Sequence, residues 1–293
     1  MVANAGHGLS DSLANLGIVC KVIHIKKFSY WYPNARRAAL RGLNLEIKEG
    51  EFIGILGANG SGKSTLCYAL SGFIPNFYRG EWSGDIEVEG QNIAENTLGE
   101  LAGKVGLVFQ NPFNQISGAR FTVREEIAFG LENLALNKKE MHKRIDEVLD
   151  LVGIDELANR SPFALSGGQQ QRVAIASILA MKPKVLVLDE PTSQLDPAST
   201  EAVFLALGAL VRNGRTTVIL AEHKLEWIAR SADRVIALSN GRIVLQGPPE
   251  KVLSSARMER LGIGRTQYSM AAAKLRAAKK LPVTLEQARA FFR

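Results

Sequence analysis

One run of eight residues restricts this 293-residue chain more than any other feature. Gly57-Ala58-Asn59-Gly60-Ser61-Gly62-Lys63-Ser64 follows the wholly apolar Phe52-Ile53-Gly54-Ile55-Leu56 and precedes a run with helical spacing from Thr65 to Leu70. A short apolar run bounded by glycine is a buried strand by pattern. Strand, glycine loop and helix in that order gather backbone N–H groups and a positive helix end at one point, which suits a phosphate. Glycines 57, 60 and 62 let the backbone wrap phosphate oxygens, with Ala58, Asn59, Ser61 and Thr65 completing the cradle. Lys63 neutralises those oxygens, and Ser64 offers a hydroxyl to Mg2+.

A second apolar run, Val185-Leu186-Val187-Leu188, ends in Asp189 and Glu190. The carboxyl ends of strands in a parallel sheet line the ligand crevice. Neighbouring strand residues point to opposite faces, so this reading gives Asp189 to the metal and Glu190 to the attacking water. Hydrolysis then rests on positioning and charge stabilisation. A third element, Leu165-Ser166-Gly167-Gly168-Gln169, opens a helix. Ser166 serves as its N-cap, and the glycines admit an anion to the helix end. Since the 57–64 loop wraps its own nucleotide, this second cradle suits an ATP held by another subunit, and a dimer is expected.

The rest of the chain reads as α/β with a parallel sheet. Residues 18–56 have strand patterns, including the alternating Leu43-Asn44-Leu45-Glu46-Ile47. From about 120 to 181 the spacing becomes helical, over Glu125–Leu136, Lys138–Val152 and Gly167–Met181. Beyond Pro183, strands at Val185–Leu188, Thr216–Ala221 and Arg234–Leu238 alternate with helices at Pro197–Arg212 and Lys224–Arg230. Residues 1–17 read as a flexible leader, 18–250 as the main domain and 251–293 as a C-terminal helical extension. In that extension Thr284 and Gln287 form a capping-box pattern, and Leu285, Ala288, Phe291 and Phe292 share a helix face.

The net charge of +7 is all carried by residues 252–293, which hold nine Lys or Arg and two Glu. A basic patch can face nucleic acid or an anionic membrane, but in an appended helical segment it reads equally as a solvated face. Lys, Glu or Gly breaks every hydrophobic run before the ~18 residues that a membrane span needs. Any membrane role therefore runs through partners. The N-terminus lacks the basic-then-apolar pattern of a secretion signal. Cys20 and Cys67 offer neither a metal spacing nor a disulfide framework, consistent with a reducing cytoplasm. Cys67 reads as a small buried apolar side chain.

Six motifs stand in order: the 57–64 loop, Gln110 in Val108-Phe109-Gln110-Asn111-Pro112, Leu165–Gln169, Asp189-Glu190, Ser193-Gln194-Leu195-Asp196, and His223. Over about residues 18–250 the chain resembles the ATP-binding-cassette (ABC) ATPases. That resemblance implies a P-loop, RecA-like parallel-sheet core with an antiparallel β subdomain and a helical subdomain over about 120–181. Gln110 resembles the Q-loop glutamine, which touches Mg2+ and the water and senses the membrane partner. Asp196 resembles the D-loop aspartate that communicates across the dimer, and His223 the switch histidine at the γ-phosphate. The implied catalytic set is Lys63, Gln110, Glu190 and His223; the metal set is Ser64, Gln110 and Asp189. Adenine is expected to stack on a ring of Phe28-Ser29-Tyr30-Trp31-Tyr32. Tyr30 matches the family's Phe-Ser-Tyr pattern, with Trp31 and Tyr32 as the other candidates.

Within the family, the stretches Phe109–Gln115 and Leu281–Glu286 are similar to the ATPases of energy-coupling-factor transporters, which import vitamins and metal ions. The resemblance implies a second ABC ATPase subunit, identical or related, an integral membrane scaffold and a substrate-binding membrane subunit. It also implies a peripheral position on the cytoplasmic face of the membrane, a dimerising C-terminal extension, and no nucleic acid. Ile74–Gly84, longer than the usual turn, and Thr192–Asp196 resemble members with two fused cassettes, although this chain carries one. A conventional ABC transporter ATPase is the nearest alternative. A soluble ABC ATPase acting on DNA or ribosomes is more remote, because such members usually carry paired cassettes, a coiled coil or zinc-binding cysteines.

Overall fold

The computed structural model describes residues 21–213, 216–275 and 281–293. Two sheets organise it. An antiparallel sheet contains β1 (Lys21–Trp31), β2 (Leu40–Lys48), β4 (Glu81–Val88) and β5 (Gln91–Asn92) in the order β2-β1-β4-β5. The other sheet contains β3 (Phe52–Gly57), β6 (Val105–Val108), β7 (Val185–Asp189), β8 (Thr217–Ala221), β9 (Arg234–Ser239) and β10 (Arg242–Gly247). Its order is β10-β9-β3-β8-β7-β6, parallel throughout except for β10.

Every residue of β3, β7 and β8 is buried, as in parallel strands covered on both faces. Their side chains divide by strand alternation. Phe52, Leu56, Leu186, Leu188, Val218 and Leu220 enter a core shared with the helical region, whereas Ile53, Ile55, Val185, Val187 and Ile219 enter a second core shared with the antiparallel sheet. Helix α1 (Lys63–Leu70) lies on the second core through Leu66, Cys67, Ala69 and Leu70. Cys67 is a free, fully buried thiol whose pKa burial pushes well up, the inert side chain expected of it.

The helical subdomain comprises α2 (Val123–Asn133), α3 (Lys138–Val152) and α4 (Gly167–Ala180), packed on one another. Reciprocal hydrogen bonds between Thr122 and Glu125 cap α2, Asn137 caps α3, and Gly153 ends α3 in the left-handed region. Helices α5 (Pro197–Arg212) and α6 (Leu225–Ser231) complete the alternating part of the fold.

Four strands escaped the sequence patterns. Strand β4 is exposed from Glu81 to Asp85, so it lacks the alternation of a half-buried strand. Its first residues pair with β1, Tyr30 opposite Trp82, so the end of the 74–84 stretch is strand rather than an extended turn. Strands β5, β6 and β10 are short, of two, four and six residues. The leader and Ile18–Cys20 lie outside the described residues.

At the C-terminus, α7 (Gln267–Leu275) and α8 (Leu285–Phe292) dock on the rest of the fold. Ser269 Oγ donates to Pro282 O at 2.6 Å, Gln287 Nε2 to Glu250 Oε1 at 3.2 Å, and Val283 and Met258 join the first core. The boundary after residue 250 falls inside a helix, Pro249–Leu253, whose Val252 and Leu253 belong to that same core. Thr284 caps α8 by accepting from Gln287 N, while Gln287 Oε1 accepts from Val283 N instead of closing a capping box. The expected apolar face is split: Ala288 is buried while Leu285 and Phe292 are exposed.

Candidate nucleotide site

The 57–64 loop joins β3 to α1 at the middle of the parallel sheet. Gly57 has to be glycine, because a Cβ there would sit 2.2 Å from Ser61 Oγ. The back of the loop is braced by Gly241 N–H on Ser61 O at 2.9 Å, and Arg41 N–H in turn holds Gly241 O at 2.8 Å. Helix α1 starts without a side-chain cap, so its first N–H groups are available to an anion. A cavity of about 530 Å3 opens over the loop, lined by Tyr32, Ala39, residues 59–65, Gln110 and Glu190. A comparable cleft of about 590 Å3 lies beside Lys21, Glu46 and Arg234, away from the loop. Two of its cations are already paired, Lys21 with Glu46 and Arg234 with Glu51, each at 2.7 Å.

The two acids do not diverge as strand alternation would have them. Asp189 is the last residue of β7, and Glu190 leaves the strand with φ of 48°, its N–H held on Ala221 O at 2.9 Å. That left-handed backbone, uncommon for a residue with a Cβ, brings the Glu190 carboxylate back to the side where Lys63 lies. Glu190 Oε2 accepts from Gln110 Nε2 at 2.8 Å, while Glu190 Oε1 lies 2.9 Å from His223 Nε2 and 3.3 Å from Lys63 Nζ. Lys63 Nζ also donates to Gly57 O at 3.1 Å and lies 3.2 Å from His223 Nε2. Lys63, Gln110, Glu190 and His223, spread over 160 positions of sequence, therefore meet at one point.

Asp189 is 1% exposed, and neither carboxylate oxygen has a hydrogen-bond partner of ordinary geometry. Burial raises its pKa and the neighbouring Glu190 raises it further, opposed by the Ser64 hydroxyl and by Lys63. Two orphaned oxygens beside a hydroxyl match a hard cation that completes its shell with water and phosphate oxygens, as Mg2+ does. Among the described residues no group of three or more His, Cys, Asp or Glu could hold a metal unaided.

The residues expected to act across a dimer lie away from the cavity over the loop. Ser166 Oγ accepts from Gln169 N at 3.4 Å and Gln169 Oε1 accepts from Ser166 N at 3.0 Å, a capping box at the start of α4. None of Ser166, Gly167, Gly168 or Gln169 lines the cavity over the loop. The space that Gly167 leaves is taken by Gln194, whose Oε1 would lie 2.5 Å from an added Cβ. Asp196 caps α5, accepting from Ser199 N at 2.9 Å and Ser199 Oγ at 2.6 Å, and those bonds lower its pKa.

The choice of Tyr30 for the adenine is corrected. Its ring is fully buried, its hydroxyl donates to Tyr78 O at 3.0 Å, and burial pushes its pKa up to about 12. No ring face is left for a base. Tyr32 lines the cavity instead, with its hydroxyl 3.2 Å from Thr65 Oγ1.

Sequence reasoning missed the residues that hold Gln110. The backbone of Phe109 is gripped at both ends: Gln115 Oε1 accepts from its N–H and Gln171 Nε2 donates to its carbonyl, each at 3.3 Å. Gln115 also donates to Ala174 O at 2.6 Å, tying this segment to α4. Buried Glu126 of α2 accepts from Ser117 N and Oγ at 2.7 and 2.8 Å. Buried glutamines and glutamates look like solvated ones in sequence, and only the packing reveals them.

A phosphate loop after the central strand, with the acids two strands away and Glu190 paired with its lysine, places the molecule among the phosphate-loop ATPases. The sequence signature of the ABC transporter family matches residues 40–193, and the chain belongs to that family as an ABC transporter ATP-binding protein. It is 46% identical over 243 residues to a putative ABC transporter ATP-binding protein of Pyrococcus abyssi, covering 83% of this chain and 86% of that one. It is 43% identical over 246 residues to the energy-coupling factor transporter ATP-binding protein EcfA1 of Bacillus subtilis, covering 83% and 84%. Among solved structures, cbiO1 from Clostridium perfringens, described as part of the ABC transporter complex cbiONQ, superposes with a TM-score of 0.70. It shares 34% identity, with 82% of this chain and 94% of that one covered. A dimeric ATP-binding cassette in a post-hydrolysis state with ADP and Pi gives 0.69 at 31% identity, covering 78% and 98%. The chain is thus an ATP hydrolase of the cassette type that energises a transporter. Among its described residues no helix is long and apolar enough to cross a membrane.

Proposed function

We propose that this chain is the ATPase of an energy-coupling-factor importer for a vitamin, another micronutrient or a metal ion. The observation that carries the reading is the 43% identity to the Bacillus subtilis energy-coupling factor protein across more than four fifths of both chains. The likeness to cbiO1 supports it. The chain would sit peripherally on the cytoplasmic face of the membrane, paired with a second cassette of the same or a related kind. It would be held there by an integral scaffold and a separate membrane subunit that binds the cargo.

In this reading Lys63 and the loop N–H groups bind the β- and γ-phosphates of ATP, and Tyr32 stacks on the adenine. Ser64, Asp189 and Gln110 would hold Mg2+, whose charge would offset the negative charge that develops on the phosphates. Glu190 orients the attacking water and takes its proton, held in place by Gln110 and His223. Lys63, paired with Glu190 at 3.3 Å, turns its charge to the phosphates when these arrive. Ser166–Gln169 of the partner cassette close over the same nucleotide, and Asp196 reaches across the pair.

Purification of the tagged protein from detergent-solubilised native membranes, with mass spectrometry of what co-elutes, tests the subfamily. A multi-spanning scaffold with a small membrane-embedded binding protein is the expected result. A conventional permease would replace the energy-coupling-factor reading, and ribosomal proteins or nucleic acid with no membrane subunit would remove transport.

A further inference from the structure

A buried carboxylate that the hydrolytic set does not include joins the two segments carrying Glu190 and His223. Glu222 follows β8 directly and is 3% exposed. Its Oε1 accepts from the Thr192 hydroxyl, and its Oε2 accepts from the backbone N–H of His223 at 2.6 Å and of Lys224 at 3.3 Å. Its own N–H is fixed on Ile55 O of β3 at 3.2 Å. On the far side of His223, Lys224 Nζ donates to Thr192 O at 3.0 Å and to Thr200 Oγ1 at 2.8 Å. Thr192, itself fully buried, is therefore held through its hydroxyl by the residue before His223 and through its carbonyl by the residue after it.

Thr192 belongs to the loop that begins at Glu190, where Ser193 N–H returns to Glu190 O at 3.2 Å, and that runs on to Asp196. The bridge fixes the distance between two loops whose side chains meet at 2.9 Å, His223 Nε2 on Glu190 Oε1. A carboxylate suits the position chemically. It accepts at both oxygens, whereas an amide presents N–H donors at one end and would face the His223 and Lys224 N–H groups, or the Thr192 hydroxyl, with a donor. Three donors on one carboxyl group also offset the cost of removing it from water.

We infer that Glu222 is a positioning residue for ATP hydrolysis: with Thr192 on one oxygen and the His223 backbone on the other, it sets His223 against Glu190. The same bridge ties that setting to the loop ending at Asp196. The inference rests on the reading above that His223 and Glu190 serve the hydrolytic step.

Steady-state phosphate release by the full chain with Mg-ATP tests it in Glu222→Gln, Thr192→Val and Thr192→Ser, alone and with Glu222→Gln placed in a His223→Ala background. A displacement of about 1 Å at a catalytic group costs roughly 100-fold, so Glu222→Gln and Thr192→Val should lower kcat about 10- to 100-fold. The KM for ATP should stay within about twofold, because the phosphate loop is untouched, and Thr192→Ser, which keeps the hydroxyl, should restore the rate. In the His223→Ala background Glu222→Gln should add less than about twofold, since its effect passes through that histidine. A wild-type kcat in Glu222→Gln beside an impaired His223→Ala would overturn the role of Glu222 alone. Wild-type turnover in His223→Ala would instead overturn the reading of the histidine. A rise in KM equal to the loss in kcat, or a further loss of about tenfold in the His223→Ala background, would show Glu222 to be general scaffolding. Should Glu222→Gln fold poorly, the Thr192→Val and Thr192→Ser pair decides by the same kcat and KM readings.

Discussion

The loop at Gly57–Ser64 and the helix start at Ser166–Gln169 are both glycine-rich openings of a helix, yet the chain completes one and leaves the other open. Around the first, residues from four separate segments converge, with Glu190 within 3.3 Å of Lys63, Gln110 and His223. At the second, Ser166 and Gln169 bond to each other and Gly167 is packed on Gln194. The cavity over the first includes no residue of the second. A capping box satisfies a helix start cheaply and locally, so α4 keeps its fold without a ligand while its remaining N–H groups stay available. The phosphate loop, by contrast, is held by long-range contacts with a buried lysine and a buried acid at its centre. This difference is what the proposed pairing of cassettes uses: each loop supplies a nearly complete site, and each α4 start supplies the closing contact to the other chain.

The sharpest attempt to break that comparison sets Glu190→Gln against Ser166→Glu. Both should reduce phosphate release, the first by about 100- to 10,000-fold through loss of the base. Glu190→Gln should still bind ATP and should accumulate as a stable dimer in sizing chromatography. Ser166→Glu should bind ATP with unchanged affinity as a monomer but fail to dimerise, because its new charge faces the partner's phosphates. Loss of monomer affinity in Ser166→Glu would show that the two ends are not separate.

A smaller effect sharpens the picture of the completed end. Tyr32→Ala should weaken ATP binding roughly 5- to 150-fold, the equivalent of about 1–3 kcal/mol of base stacking, with little change in thermal midpoint. Tyr30→Phe should do the reverse, leaving affinity alone and costing about 1 kcal/mol of stability through the lost bond to Tyr78 O. Equilibrium titration with a fluorescent ATP analogue, beside thermal unfolding, separates the two.

The smallest effect concerns what the completed end still lacks. Because burial raises the pKa of Asp189, its ionised form is penalised in the folded protein. That penalty is present above the raised value and vanishes below the ordinary aspartate pKa of about 3.9. Asp189→Asn should therefore melt higher than the parent at pH 7 without nucleotide, by roughly 2–4 °C for each kcal/mol relieved. The difference should close as pH falls through the raised value toward about 4. Added Mg-ATP should stabilise the parent far more than Asp189→Asn, and equal stabilisation would remove Asp189 from the metal set.

Much of this molecule was written locally. The apolar strands at 52–56 and 185–188, the glycine loop between strand and helix, the helix Pro197–Arg212 and the N-caps at Ser166 and Thr284 each depend on neighbours a few residues away. Period, capping chemistry and glycine spacing carry that information along the chain. The placement of Lys63, Gln110, Glu190 and His223 together followed only from the family likeness, and their distances only from the fold.

What tertiary structure alone decided follows from burial and backbone direction. Tyr30 and Tyr32 are one turn of alternation apart and indistinguishable as rings, yet the pairing of β1 with β4 seals the first and leaves the second at the cavity. Glu190 was read as facing away from Asp189, and its left-handed φ of 48° reverses that. Glu222, Gln115 and Gln171 became functional candidates only once distant segments folded around them, because a polar side chain carries no sign in sequence of whether its hydrogen bonds go to water or to the protein.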